Sequence, residues 1–234
     1  MPKNVAVQCG ASGTKYASAS VLVGDFLYSR AFQMMLDAHD IRVMEILAEA
    51  TNVIAEGEVL QLMNMHDASL DEEAYLRVIR SKTAKLFEAS TRLAAVLAGV
   101  APETEEACAA YGQALGTAFQ VIDDVLDYAG DASETGKNVG DDLREGKTTL
   151  PLILAMQRGT AAQRDLIRAA IEAGDTTQLP QIVAIVRETG ALDATRAAAA
   201  AEAQRAIDAL AGFPANQYAA GLLQLAAQLL ERRA

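Results

Sequence analysis

Residues 112–128 read GQALGTAFQVIDDVLDY, and the reading of this stretch decides the fold. Wound as a helix at about 100° per residue, it sets Asp127 about 40° and Asp124 about 100° from Asp123. On the same scale Gln120 falls at about 60°, Gly116 at about 20° and Gly112 at about −20°. One stripe therefore reads Gly, Gly, Gln, Asp, Asp, Asp. Three carboxylates sharing an arc repel one another and are costly without a cation. Oxygen ligands of this kind suit Mg²⁺, which keeps waters and bridges to substrate phosphates. The two glycines leave room for something to approach the helix closely. The competing reading is a solvated acidic helix end. Val121, Ile122, Val125 and Leu126 are apolar, which favours metal over open surface.

Working outward, the helix that carries the stripe opens at Pro102, a residue suited to a first turn, and runs to about Tyr128. Val21 to Asp37 is strongly apolar with polar residues at intervals, which predicts a buried helix. Ile41 to Met65 repeats that pattern. Asp71 to Gly99 opens on a cap-like aspartate followed by Glu72 and Glu73, good first-turn residues. Helices of this length predict a bundle. Gly130 to Gly146 is a polar, glycine-rich connection, long enough to suggest a functional loop. From Thr148 to the end, four shorter Ala/Leu-rich helices are expected, broken near Gly159, Gly174, Gly190 and Pro214. The expectation is an all-α fold in one domain over residues 1–234.

A phosphate ligand bridged through magnesium needs further cations. Lys82 in IRSKTAKLFEAS, Lys137 in TGKN and Lys147 in REGKTTLP are candidates, as point charges for phosphate oxygens. Asp141 and Asp142 form a second acidic pair, able to reach a metal through water or to pair with Lys147 or Arg144. The net charge of the 234-residue chain is −11, which argues against nucleic acid as a partner but not against a polyanion held through metal ions. Two cysteines, Cys9 and Cys108, give no disulfide framework and favour a reducing compartment. No apolar run approaches the length of a membrane span, and MPKNVAVQCGASG has no signal-like core, so a cytoplasmic protein is expected.

SVLVGDFLYSRAFQMM, VIAEGEVLQLM, SKTAKLFEAS, GTAFQVIDDVLDY and GKNVGDDLREGKTTLPL, in that order, resemble the trans-type polyprenyl diphosphate synthases. The similarity is greatest to the bacterial octaprenyl and related quinone side-chain synthases, over about residues 20–234. It implies an isoprenoid-synthase-type bundle of helices around a central cavity. It implies Mg²⁺-dependent condensation of isopentenyl diphosphate with an allylic diphosphate, with Asp123, Asp124 and Asp127 as the second aspartate-rich motif and metal ligands. Lys82, Thr83 and Gln120 match the allylic-substrate site, and Lys137 and Lys147 the two lysines that complete diphosphate binding. Lys82, Gln120, Asp123 and Asp124 are thereby the candidate catalytic residues. Gly57 matches a glycine on a cavity-facing helix, and Ala31, Phe32 and Met35 are candidates for lining the tunnel of the growing chain. The family is usually dimeric, so a homodimer, or a heterodimer with a full-length synthase, is expected.

The sequence departs from the family pattern in residues 1–19, MPKNVAVQCGASGTKYASA, which hold no first aspartate-rich motif, paired arginine or histidine. The expectation is a bundle lacking its N-terminal helices. Three readings follow: a full enzyme whose start lies upstream, a non-catalytic partner subunit, or a fragment.

Overall fold

The computed structural model describes residues 11–129 and 139–231, with side chains from residue 19 onward. Among the described residues there is no strand, so the expected all-α class is found. The chain divides into two compact units, one ending at Leu47 and one beginning at Ala48.

The first unit holds α1 (Ala11–Asp37), a turn, and the opening of α2 (Ile41–Met63), within which the boundary falls. His39 takes a left-handed φ of 53° in that turn. Asp40 then accepts the backbone N–H of Arg42 at 2.9 Å, giving the new helix a side-chain cap. The expected burial of Val21–Asp37 is not found. Val21, Leu22, Phe26, Leu27 and Tyr28 are each more than half exposed. An apolar stripe states what a helix would bury; within its own unit α1 is joined only by a turn and the first residues of α2. The helix also begins ten residues earlier than the expected Val21 start, at Ala11.

The second unit is built around one long helix. It contains the rest of α2, then α3 (Glu72–Ile79), a π-helical turn (Arg80–Ala84) and α4 (Lys85–Ala98). α5 (Pro102–Ala129) follows, then the short α6 (Asp141–Arg144). Five further helices complete it: α7 (Leu150–Arg158), α8 (Ala161–Ala173), α9 (Leu179–Glu188), α10 (Ala191–Ala209) and α11 (Gln217–Leu230). The four expected breaks after Thr148 are present in the chain, and they cut five helices rather than four. Asp71 caps α3, its side chain accepting from the Ala74 N–H at 2.8 Å, and Gly99 closes α4 at φ 63°. Between those ends the expected single helix is interrupted by the π turn.

α5 reaches all three apolar clusters of the unit. It gives Tyr128 to the first, Val121 and Ile122 to the second, and Tyr111, Ala114 and Leu115 to the third. Its principal neighbours are α4 and α10. A helix covered on this many sides cannot be half polar, which is why carboxylates on it stand out.

The glycines of the stripe are explained by packing. A Cβ at Gly116 would stand 2.7 Å from Ala84 Cα and 2.9 Å from the Phe87 ring. One at Gly112 would stand 2.5 Å from the Phe87 carbonyl oxygen. The room they leave is filled by the π turn and α4. Gly57 does the same for α2: a Cβ there would meet the Lys82 backbone nitrogen at 2.7 Å.

Candidate functional site

The close helix contacts at Gly57 and Gly116 carry the π turn between α2 and α5, and the π turn carries Lys82 and Thr83. A π turn spends one more residue per turn than an α-helix, so successive side chains diverge less around the axis. Here Lys82 lines a cleft while its neighbour Thr83 donates its hydroxyl to Gln120 Oε1 at 2.9 Å. The cleft is small and partly open to solvent. Gln120, Asp124, Asp142, Lys147 and Tyr75 line it with Lys82.

Asp124 is buried at 3% exposure and fully engaged. Tyr75 donates its hydroxyl to Oδ2 at 2.6 Å, and Gln120 donates Nε2 to Oδ1 at 2.8 Å. Thr83, Gln120, Asp124 and Tyr75 thus form one chain of hydrogen bonds across the π turn, α5 and α3. Burial pushes the Asp124 carboxyl up to about 8, helped by the charges of Asp142 and Asp123, while the Tyr75 and Gln120 hydrogen bonds oppose the rise. Burial and the Asp124 charge likewise push the Tyr75 hydroxyl well above its ordinary value.

Asp127 faces α6. Its two carboxylate oxygens accept the backbone N–H groups of Asp141 at 3.2 Å and Asp142 at 3.3 Å. Its carbonyl accepts from Gly140 at 3.1 Å. It therefore caps α6 from another helix, satisfying N–H groups that a helix start leaves open. Burial, then the Asp142 charge, push its carboxyl up to about 7. Asp123 is half-buried on the same helix, and neither it nor Asp127 lines the cleft.

Asp142 and Lys147 form the opposite rim. Lys147 Nζ lies 3.0 Å from Asp142 and 2.7 Å from Glu145. Burial pulls the ammonium down, but the hydrogen bonds to Glu145 and Asp142 and the Asp142 charge together push it up. Asp141 pairs with Arg144. Asp141 and Asp142 thus form the ion pairs with Arg144 and Lys147 that are one of the two expectations for the second acidic pair. Lys82 Nζ stands 3.4 Å from Glu58.

The structure thus brings together Lys82, Gln120, Asp124 and Lys147 on one cleft, with Thr83 one hydrogen bond behind. Lys137 lies outside the described residues. Ala31 and Phe32 are exposed and Met35 is half-buried within the first unit. Sequence reasoning missed Tyr75 and Glu58. Tyr75 lies seven residues before Lys82, two helical turns on the same face, but an aromatic at that spacing reads first as core.

The donors fit a divalent cation. They are carboxylate oxygens, gathered on one helix, and burial is the main cause that raises Asp124 and Asp127, with the neighbouring Asp142 charge second. Among the described residues no three acidic, histidine or cysteine side chains form a ready-made cage. Magnesium does not require one, since it is commonly held by one or two carboxylates and substrate phosphates.

The described residues thus form an all-helical bundle with carboxylates and lysines around one cleft. The sequence pattern of the polyprenyl synthetase family matches residues 11–188, and the chain belongs to that family, which makes it a prenyltransferase by class. The chain is 51% identical over 216 residues to the octaprenyl diphosphate synthase of Escherichia coli (strain K12), covering 92% of this chain and 67% of the relative. It is 46% identical to the all-trans-nonaprenyl-diphosphate synthase (geranyl-diphosphate specific) of Rhodobacter capsulatus, covering 95% and 68%. A solved polyprenyl synthase from Caulobacter crescentus, complexed with calcium and isoprenyl diphosphate, superposes with a TM-score of 0.88 at 47% identity, covering 93% and 67%. The chain thus spans about two thirds of the length of these relatives. Among the described residues no helix is long and apolar enough to cross a membrane.

Proposed function

We propose that this chain condenses isopentenyl diphosphate with an allylic diphosphate, with Mg²⁺, to lengthen a polyprenyl diphosphate for a quinone side chain. The observation that carries the reading is the meeting of Asp124 and Lys147 with Lys82 and Gln120 on one cleft. Asp123, Asp124 and Asp127 would hold the cation, which when bound draws charge from the departing diphosphate. Lys82 and Lys147 hold diphosphate oxygens as point charges, with Lys137 as a third. Gln120, fixed by Thr83 and Asp124, orients its amide at the start of the allylic group. The C1–O bond of the allylic diphosphate breaks, and the double bond of isopentenyl diphosphate supplies the electron pair for the new C–C bond. Proton loss then restores a double bond. The setting is cytoplasmic, and the working form is a dimer.

The test is Mg²⁺-dependent incorporation of isopentenyl diphosphate into a farnesyl or geranylgeranyl primer. Product longer by five-carbon units is expected; no incorporation at high protein concentration defeats catalysis by this chain. The second reading, a non-catalytic partner of a full synthase, is favoured by the exposed apolar side chains of α1, which a second chain would cover. It predicts co-purification with such a synthase and altered product length.

Tyr75 supplies a sharper check. In Tyr75→Phe the cleft keeps its shape but Asp124 loses a donor that stabilises its charged form. The apparent Mg²⁺ affinity, read from the metal dependence of pyrophosphate binding, is expected to fall about 10–100-fold. Unchanged metal dependence would remove Tyr75 from the site.

A further inference from the structure

The end of the functional loop is held by a residue the reaction does not use. His66, in the turn after α2, takes a left-handed φ of 64°, a conformation histidine adopts more readily than most side chains. Its backbone N–H donates to the Gly146 carbonyl at 2.7 Å. Its ring Nδ1 lies 3.1 Å from the Ile171 carbonyl at the end of α8. A carbonyl only accepts, so Nδ1 carries the proton in this contact. The next residue, Asp67, accepts the Thr148 hydroxyl on its carbonyl at 2.8 Å. Residues 66–67 therefore grip the chain on both sides of Lys147.

The grip is tight at two glycines. A Cβ at Gly146 would stand 2.4 Å from both Cε1 and Nδ1 of the imidazole, and one at Gly174 would stand 3.3 Å from Cε1. Both glycines have positive φ, 76° and 61°. The ring is thus seated between the loop that ends at Lys147 and the turn after α8. Loosening this seat would let the backbone on both sides of Lys147 shift, and with it the position of the ammonium on the cleft it lines.

We infer that His66 is a positioning residue for Lys147: its left-handed turn and its ring pin Gly146 and Ile171, and so aim the lysine at the diphosphate. The inference rests on the reading of the cleft as a diphosphate site. The probe is inorganic pyrophosphate with Mg²⁺, titrated calorimetrically into the whole chain and followed by a thermal melt. His66→Val, β-branched and ill-suited to positive φ, is expected to weaken pyrophosphate binding about tenfold. His66→Asn, which tolerates that φ and offers an amide donor, is expected to bind within about twofold of wild type.

The decisive comparison uses Lys147→Ala. If His66 acts through the lysine, adding His66→Val to Lys147→Ala costs no further affinity. An equal loss in both backgrounds, or a lowered melting temperature with unchanged affinity, overturns the inference. Wild type that binds no pyrophosphate with Mg²⁺ overturns the diphosphate reading itself, and His66 falls with it. The two failures are distinguishable because the second appears before any variant is made.

Discussion

At pH 8, Asp124→Asn is expected to leave the ligand-free protein more stable than wild type, by on the order of a few kcal/mol, while lowering prenyl transfer by roughly 10²-fold or more. The two effects have one origin. The folded protein holds the Asp124 carboxyl at about 8 against an ordinary value of 3.8. Between those values the native state binds a proton that the unfolded chain does not, so stability falls as pH rises from about 4 to about 8. An asparagine has no proton to lose. Its amide oxygen accepts from Gln120, and the Tyr75 hydroxyl turns to accept from the amide nitrogen. Asp127, raised to about 7, adds a slope of the same sign, so the variant's curve is shallower rather than flat. Melts at pH 5 and pH 8, with and without MgCl₂ and pyrophosphate, read both halves. Wild type should lose stability with rising pH and regain it with the metal and pyrophosphate; the variant should lose less, through Asp127 alone, and regain little. Equal slopes for the two proteins would show that Asp124 is not the strained group.

Gly116→Ala should do the greatest damage for the smallest change. A single added carbon would sit 2.7 Å from Ala84 Cα and 2.9 Å from the Phe87 ring. Ala84 Cα is backbone and cannot rotate away, so α5 and the π turn must separate. Overpacking of this kind costs about 1–3 kcal/mol, or roughly 2–12 °C of melting temperature for a chain of this size. The loss at the site should be larger than the stability change suggests. Gln120 lies one turn beyond Gly116 and Thr83 is adjacent to Ala84, so the helices part where the 2.9 Å Thr83–Gln120 hydrogen bond spans them. Pyrophosphate binding with Mg²⁺ should weaken at temperatures where the circular dichroism is still native. A variant that melts and binds like wild type would mean the contact relaxes without moving the helices.

Much of this site was legible in residues 112–128 because helical spacing is arithmetic. Gln120 and Asp124 lie four residues apart, and in the structure they are hydrogen bonded. The helix ends at Asp71, Gly99 and Pro102 were legible because capping is local chemistry. The π turn was not, since SKTA is compatible with an ordinary helix and its close neighbours at Gly57 and Gly116 come from distant parts of the chain. The same holds for Tyr75 and His66, whose partners lie 49 and 105 residues away in the chain. The apolar pattern of α1 predicts burial, yet its side chains are exposed, because a pattern names a preference and not its fulfilment. Asp127 showed a further gap: its capping of α6 depends on a loop brought back from fourteen residues away.

The ion pairs of the resting cleft have a consequence for what it can admit. Lys147 is already paired to Asp142 and Glu145, and Lys82 stands beside Glu58. An anion arriving alone must evict carboxylates, and a cation arriving alone must compete with the proton that burial favours on Asp124. Arriving together, each performs the other's eviction. On the diphosphate reading the cleft is a coincidence detector. On that reading magnesium and diphosphate should be captured together more tightly than either alone.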